Sequence, residues 1–145
     1  MVLTVLALDE RVAESATVGP PMGAWGTGVF DNDGAGDLLA DLRHAEPARR
    51  PGIVREALQF AVDAGDYLEV IEGQAAVAAA AMVAAARGDG DGLYGGPPDG
   101  GSVELARQAL DRVVGEASEW RELWEETPDL DGALAAVATV RAALV

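Results

Sequence analysis

Three carboxylates recur at every third position in "DYLEVIEG": Asp66, Glu69 and Glu72. On a helix, that spacing crowds all three onto one face near the start of the apolar segment that follows. Like charges so placed raise one another's pKa and suit acid–base or metal chemistry. The same residues also serve as dipole partners of a helix N-terminus, with Tyr67 and Leu68 as a packing pair. A second acidic group lies in "DNDGAGD", where Asp31, Asp33 and Asp37 fall on positions 1, 3 and 7 of a calcium loop and Gly36 on position 6. Position 12 is Leu42, so the closing bidentate acid is missing, and helix capping accounts for Asp31 and Asp33 without a metal. The glycines of "GAWGTG" follow Pro-Pro instead of a strand and do not form a phosphate cradle. His44, the one histidine, reads as a surface residue favoured by a helix C-terminus. Trp120 and Trp124 stand one helical turn apart, as core or as an anchor for a partner, and Trp25 and Phe30 are expected to plug one end of the fold.

Composition narrows the chemistry further. The chain has 145 residues, enough for one domain with a proper core, and no cysteine, which removes disulfides, thiolate nucleophiles and sulfur-ligated metals. All ten basic residues are arginine, so neither a Schiff-base lysine nor a P-loop lysine exists. A net charge of −15 argues against nucleic acid, whose affinity rests on neutralised phosphates, and favours solubility or a basic partner. No cofactor is expected. The apolar "MVLTVLAL" lacks a positive flank and a cleavage site, and the run Ala75 to Ala86 is shorter than the ~20 residues a spanning helix needs. The expected setting is the cytoplasm, without membrane association.

The elements that must position these residues are helical. Small side chains dominate the apolar half of the sequence, which suits close helix packing. Residues 1 to 21 are expected to be a poorly ordered extension, with Met22 as the natural start and 22 to 145 as a single all-α domain. After a glycine-rich N-terminal loop, a first helix spans about Gly34 to Ala45, capped by Asp31 or Asp33. Pro51 opens a second, whose stripe is Val54, Ala57, Leu58 and Ala61, with Arg55, Glu56, Gln59 and Asp63 facing water and Gly65 ending it. A third, starting between Leu68 and Glu72 and ending at Arg87, is apolar all round and therefore central. Ser102 caps a fourth, on which Arg107 and Asp111 form an i, i+4 pair. Ser118 caps a short fifth, and Thr127 and Pro128 open the last. The sum is a compact bundle of five or six helices.

Three segments carry a family resemblance: "MGAWGTGVFDNDGAGDLL", "REALQFAVDAGDYLEVIEGQAAVAAAAMVAAARG" and "ARQALDRVVGEASEWRELWEE". Together they resemble the family known as domain of unknown function 4259, small bacterial proteins whose chains typically begin at the methionine of the W-G-x-G-x-F stretch. That family has no assigned activity, so the resemblance implies no catalytic residue, cofactor or partner. Residues 1 to 21 lie outside its pattern, and Gly34 and Gly36 loosen a helix start usually held by better formers.

The leading expectation is a non-enzymatic interaction module, monomeric or weakly dimeric, that neutralises a basic protein partner. Its candidate contact residues are Trp25, Asp31, Asp33, Glu69, Glu72, Trp120 and Trp124. The rival is a small enzyme or ligand-binding protein using Asp66, Glu69 and Glu72.

Overall fold

Asn32 decides where the first helix begins. In the computed structural model, which describes residues 24, 26–88 and 93–145, its side chain accepts from the Ala35 amide at 2.8 Å. The helix α1 runs Asp33–His44. Asp31 and Asp33 were the expected caps. All three residue types cap well, but the Ala24–Asn32 bridge turns residue 32 inward, where it is buried. Asp33 lies exposed in the first turn, where its charge suits the dipole. The expected extension at 1 to 21, the start at Met22 and the plug Trp25 lie outside the described residues.

A 3-10 turn, Pro47–Arg49, leads into α2, Arg50–Val62, with Pro51 in its first turn as expected. Gly65 follows with φ of 71°, the left-handed conformation that reverses the chain after a helix. Helix α3, Val70–Gly88, is central: α1, α2 and α4 all pack on it, and Ala76, Ala78, Ala79, Ala80 and Val83 are fully buried. By length and composition α3 would cross a membrane, but 56% of its most apolar stretch is buried inside the protein, as in a core helix.

Helix α4, Gly100–Val114, is capped by Asp99, whose carboxylate accepts from the Ser102 amide at 2.7 Å. The expected cap, Ser102, instead sits inside the first turn, where its hydroxyl accepts from Arg55. Asp99 is three residues upstream of Ser102, beyond the glycines, and the helix absorbs both of them. The Ser102 bond also holds the Asp99 carboxyl below its ordinary range. Asp99→Ala should lower the midpoint of a denaturant melt; an unchanged midpoint would show the cap to be idle.

Ser118 does cap α5, Glu119–Glu125, and its fully buried hydroxyl also donates to the Val113 carbonyl at 2.6 Å. The last helix, α6, runs Leu130–Ala142 with Asp129 as N-cap. Thr127 and Pro128 were expected to open that helix. Thr127 instead bridges the two helices, its hydroxyl donating to the Trp124 carbonyl and accepting from the Asp129 amide. The expected Arg107–Asp111 pair does not form either. Arg107 turns back to Glu104 and the Leu144 carbonyl, and Asp111 is taken by Arg141 from α6. Tertiary partners displace the local pair, which is worth only a few tenths of a kcal/mol.

The described residues thus form an all-α bundle of six helices, with no β-structure beyond two isolated bridges. Leu42, Leu58, Leu68, Leu110 and Leu144 are among its largest fully buried side chains.

Candidate functional site

Helix α2 carries two stripes. Val54, Leu58 and Ala61 face the core, while Glu56, Gln59, Phe60 and Asp63 repeat the i, i+3, i+4, i+7 spacing toward solvent. Phe60 is the anomaly on that outer stripe, with 61% of its surface exposed. Across from it stand the 67–69 segment and the first turn of α3. Together they enclose an open groove of about 680 Å³, walled by Phe60, Tyr67 and Leu68 and by the carboxylates of Glu56, Asp63, Glu69 and Glu72.

A second groove, of about 290 Å³, adjoins it and shares Glu56, Phe60 and Glu72. Its floor is apolar, built from Leu38 of α1, Ile53 and Ala57 of α2, and Ala75 of α3, with Ile71, Asp37 and Asp41 exposed around it. Among the described residues, six carboxylates therefore line the pair of grooves, and no arginine or histidine does. Three large hydrophobic side chains that are notably exposed, Phe60, Tyr67 and Ile71, all belong to this surface. The cations work elsewhere. Arg87, Arg107, Arg112 and Arg121 donate to backbone carbonyls around α4, α5 and the C-terminal residues.

The segment from Tyr67 to Glu69 is not helical, because its backbone is committed to a chain fifty residues away. The Leu68 amide donates to the Ala117 carbonyl at 2.9 Å, and the Leu68 carbonyl accepts from the Glu119 amide at 2.8 Å. The Glu119 carboxylate then accepts from the Val70 amide at 2.8 Å, capping α3 from a neighbouring element. Asp66, Glu69 and Glu72 consequently do not share a helical face. Glu69 and Glu72 meet on the groove wall, while Asp66 points into solvent outside its lining. Among the described residues no three His, Asp or Glu side chains converge to hold a metal ion.

Tyr67, expected to pack inward, is held at the groove instead: its hydroxyl donates to Glu122 Oε1 at 2.7 Å. That bond, aided by partial desolvation and by the charges of Glu122, Glu119 and Glu69, pushes the phenol from 10.0 up to about 12. A raised folded-state pKa means the bond's contribution is complete below about pH 10 and fades as pH climbs toward the folded value. The tyrosinate absorbance missing from Tyr67→Phe should therefore titrate with a midpoint near 12 in the parent and nearer 10 in Glu122→Gln. A parent midpoint at the ordinary value would contradict the geometry.

The remaining candidates lie apart from the grooves. Asp31 folds over the backbone of Gly26 and Gly28, and neither it nor Asp33 lines either groove. Trp120 and Trp124, each 4% exposed, form an edge-on pair with centroids 6.5 Å apart. They sit beneath Thr27, Gly28 and Val29 of the glycine loop, packed as core at that end of the bundle. Phe30, the expected plug, is 41% exposed, because the turn closed by the Asp31 amide and Gly28 carbonyl puts it at the outer corner. Trp25 lies outside the described residues. Phe60, Ile71 and Asp41 carried no functional expectation, and Asp37 entered only as position 7 of the incomplete calcium loop; the one local signal was an aromatic residue on the polar stripe of α2.

Fold and surface define the class: a small helical bundle with one open, acidic, aromatic-walled face. Residues 23–136 match the family model described as Domain of unknown function (DUF4259), and the chain belongs to that family. No curated protein and no solved structure matches it.

Proposed function

We propose that this chain is a non-enzymatic interaction module that binds a basic segment of a partner protein across the paired grooves. The observation that carries the reading is the lining itself: among the described residues, six carboxylates without a cation, set around an exposed Phe60. Carboxylates left open in this way gain most from an incoming arginine or lysine. The net charge of −15 would steer such a partner from a distance and speed its capture. The same charge disfavours a symmetric dimer through this face, since two copies would bring like charges together.

The enzymatic alternative has less support. Its three carboxylates divide between groove and solvent, and the hydroxyls of the two expected cap serines are engaged away from them, Ser118 with Val113 and Ser102 with Arg55.

A pull-down from the native lysate, run in parallel with the parent and with Glu56→Lys/Glu72→Lys, tests the reading. Basic proteins should be retained by the parent, released by about 0.5 M salt and absent from the variant. Equal recovery by both proteins, or recovery of nothing above background by the parent, would overturn it.

A further inference from the structure

The two grooves meet at Phe60 but differ in chemistry, and that difference specifies the ligand more closely. The inference rests on the binding role proposed above and names what the bound segment looks like. The larger groove offers the Phe60 and Tyr67 rings with Glu56, Asp63, Glu69 and Glu72 around them. Tyr67 is pinned by its hydroxyl to Glu122, so its ring is fixed while 43% of its surface stays open. Aromatic faces among carboxylates attract a guanidinium or ammonium group, through the ring quadrupole and through the charges together.

The smaller groove has a different floor. Leu38, Ile53, Ala57 and Ala75 present buried or half-buried methyl and methylene groups, Ile71 adds an exposed one, and Asp37, Asp41 and Glu56 lie exposed around them with Glu72 half-buried. Seating a cation on such a floor would strip its hydration without a partner at the base, whereas an aliphatic side chain loses nothing by entering. We infer that the segment bound across Phe60 is amphipathic, placing an arginine or lysine in the larger groove and an adjacent leucine, isoleucine or valine in the smaller one. A purely polybasic stretch would fill half the surface and leave Ile71 in water.

Panning a phage-displayed library of random dodecapeptides against the parent, with Phe60→Ala as the counter-selection, reads this directly. Phe60 is exposed enough that the variant should keep the parent's melting curve, which is checked first. Enriched peptides should carry a cation beside an aliphatic residue. In titrations with the synthetic peptide, replacing the cation by glutamine or the aliphatic residue by serine should each weaken binding about tenfold. If enriched peptides are basic with no aliphatic requirement, the two-part recognition is overturned while the acidic interaction surface stands. If enriched peptides are not basic, or none are enriched over Phe60→Ala, both fall.

Discussion

Gly34→Ala is expected to cost about 3 kcal/mol or more and to lower the melting temperature by about 10 °C or more. A Cβ at this position would stand 2.5 Å from Gln74 Cβ and 3.0 Å from the Ala75 amide, and closer still to the Ile71 carbonyl oxygen. Two of those three atoms are backbone of the central helix, so no side-chain rotation relieves the clash. The Gly34 amide also donates to the buried Gln74 Oε1 at 2.9 Å, and forcing α1 away from α3 would strand that amide group. Gly36 is the control. Nothing lies within 4 Å of its added Cβ and the residue is exposed, so Gly36→Ala should gain about 0.5–1 kcal/mol from helix propensity. A thermal melt of the two variants checks both signs; similar melting temperatures would show that the α1–α3 contact is looser than described.

The second large effect separates stability from binding. Glu56→Lys/Asp63→Lys is expected to weaken capture of a basic partner about 100-fold or more, because it sets like charge against like in the larger groove. The same variant should melt at or a few degrees above the parent. Asp63 sits at the C-cap of α2, where a negative charge opposes the helix dipole and a positive one is favoured by about 0.3–1 kcal/mol. Glu56 faces the carboxylates of Asp37, Asp41 and Glu72 across the smaller groove, and a lysine there relieves their repulsion. Residues kept at a cost to stability are expected where a surface is held for function. Equal binding with equal stability would mean these carboxylates only keep the protein soluble.

Much of the architecture was legible because it is written in local patterns. The alanine run of α3 could bury itself only as a central helix, and the stripe of α2 placed Val54, Leu58 and Ala61 on the core face, with Ala57 half-buried at the smaller groove. Pro51, Gly65 and Ser118 marked boundaries through chemistry that acts within a few residues. The failures share a different cause. Asn32 and Asp99 took the capping roles from Asp31 and Ser102, and the last helix starts after Asp129 with no side-chain cap bond, since neighbouring cap-competent residues are distinguished only by which way the folded chain turns them. The spacing of Asp66, Glu69 and Glu72 suggested a helical face, but Leu68 is bonded to Ala117 and Glu119, a pairing no local window contains. Gly34 and Gly36 look alike in sequence, yet one is a contact point between helices and the other open surface. The groove draws on α1, α2, α3 and the 67–69 segment at once, so of its lining only Glu69 and Glu72 stood among the expected contact residues.

Amide chemical-shift mapping tests the central claim most directly. The ¹⁵N-labelled protein would be titrated with the most enriched basic library peptide, at low salt and again at about 0.5 M salt. The expected shifts fall on Asp37, Asp41, Glu56, Phe60, Asp63, Tyr67, Glu69, Ile71 and Glu72, and they collapse at the higher salt. Shifts centred on α4, α5 or α6, or shifts unchanged by salt, would contradict the assignment of the acidic face as the binding surface.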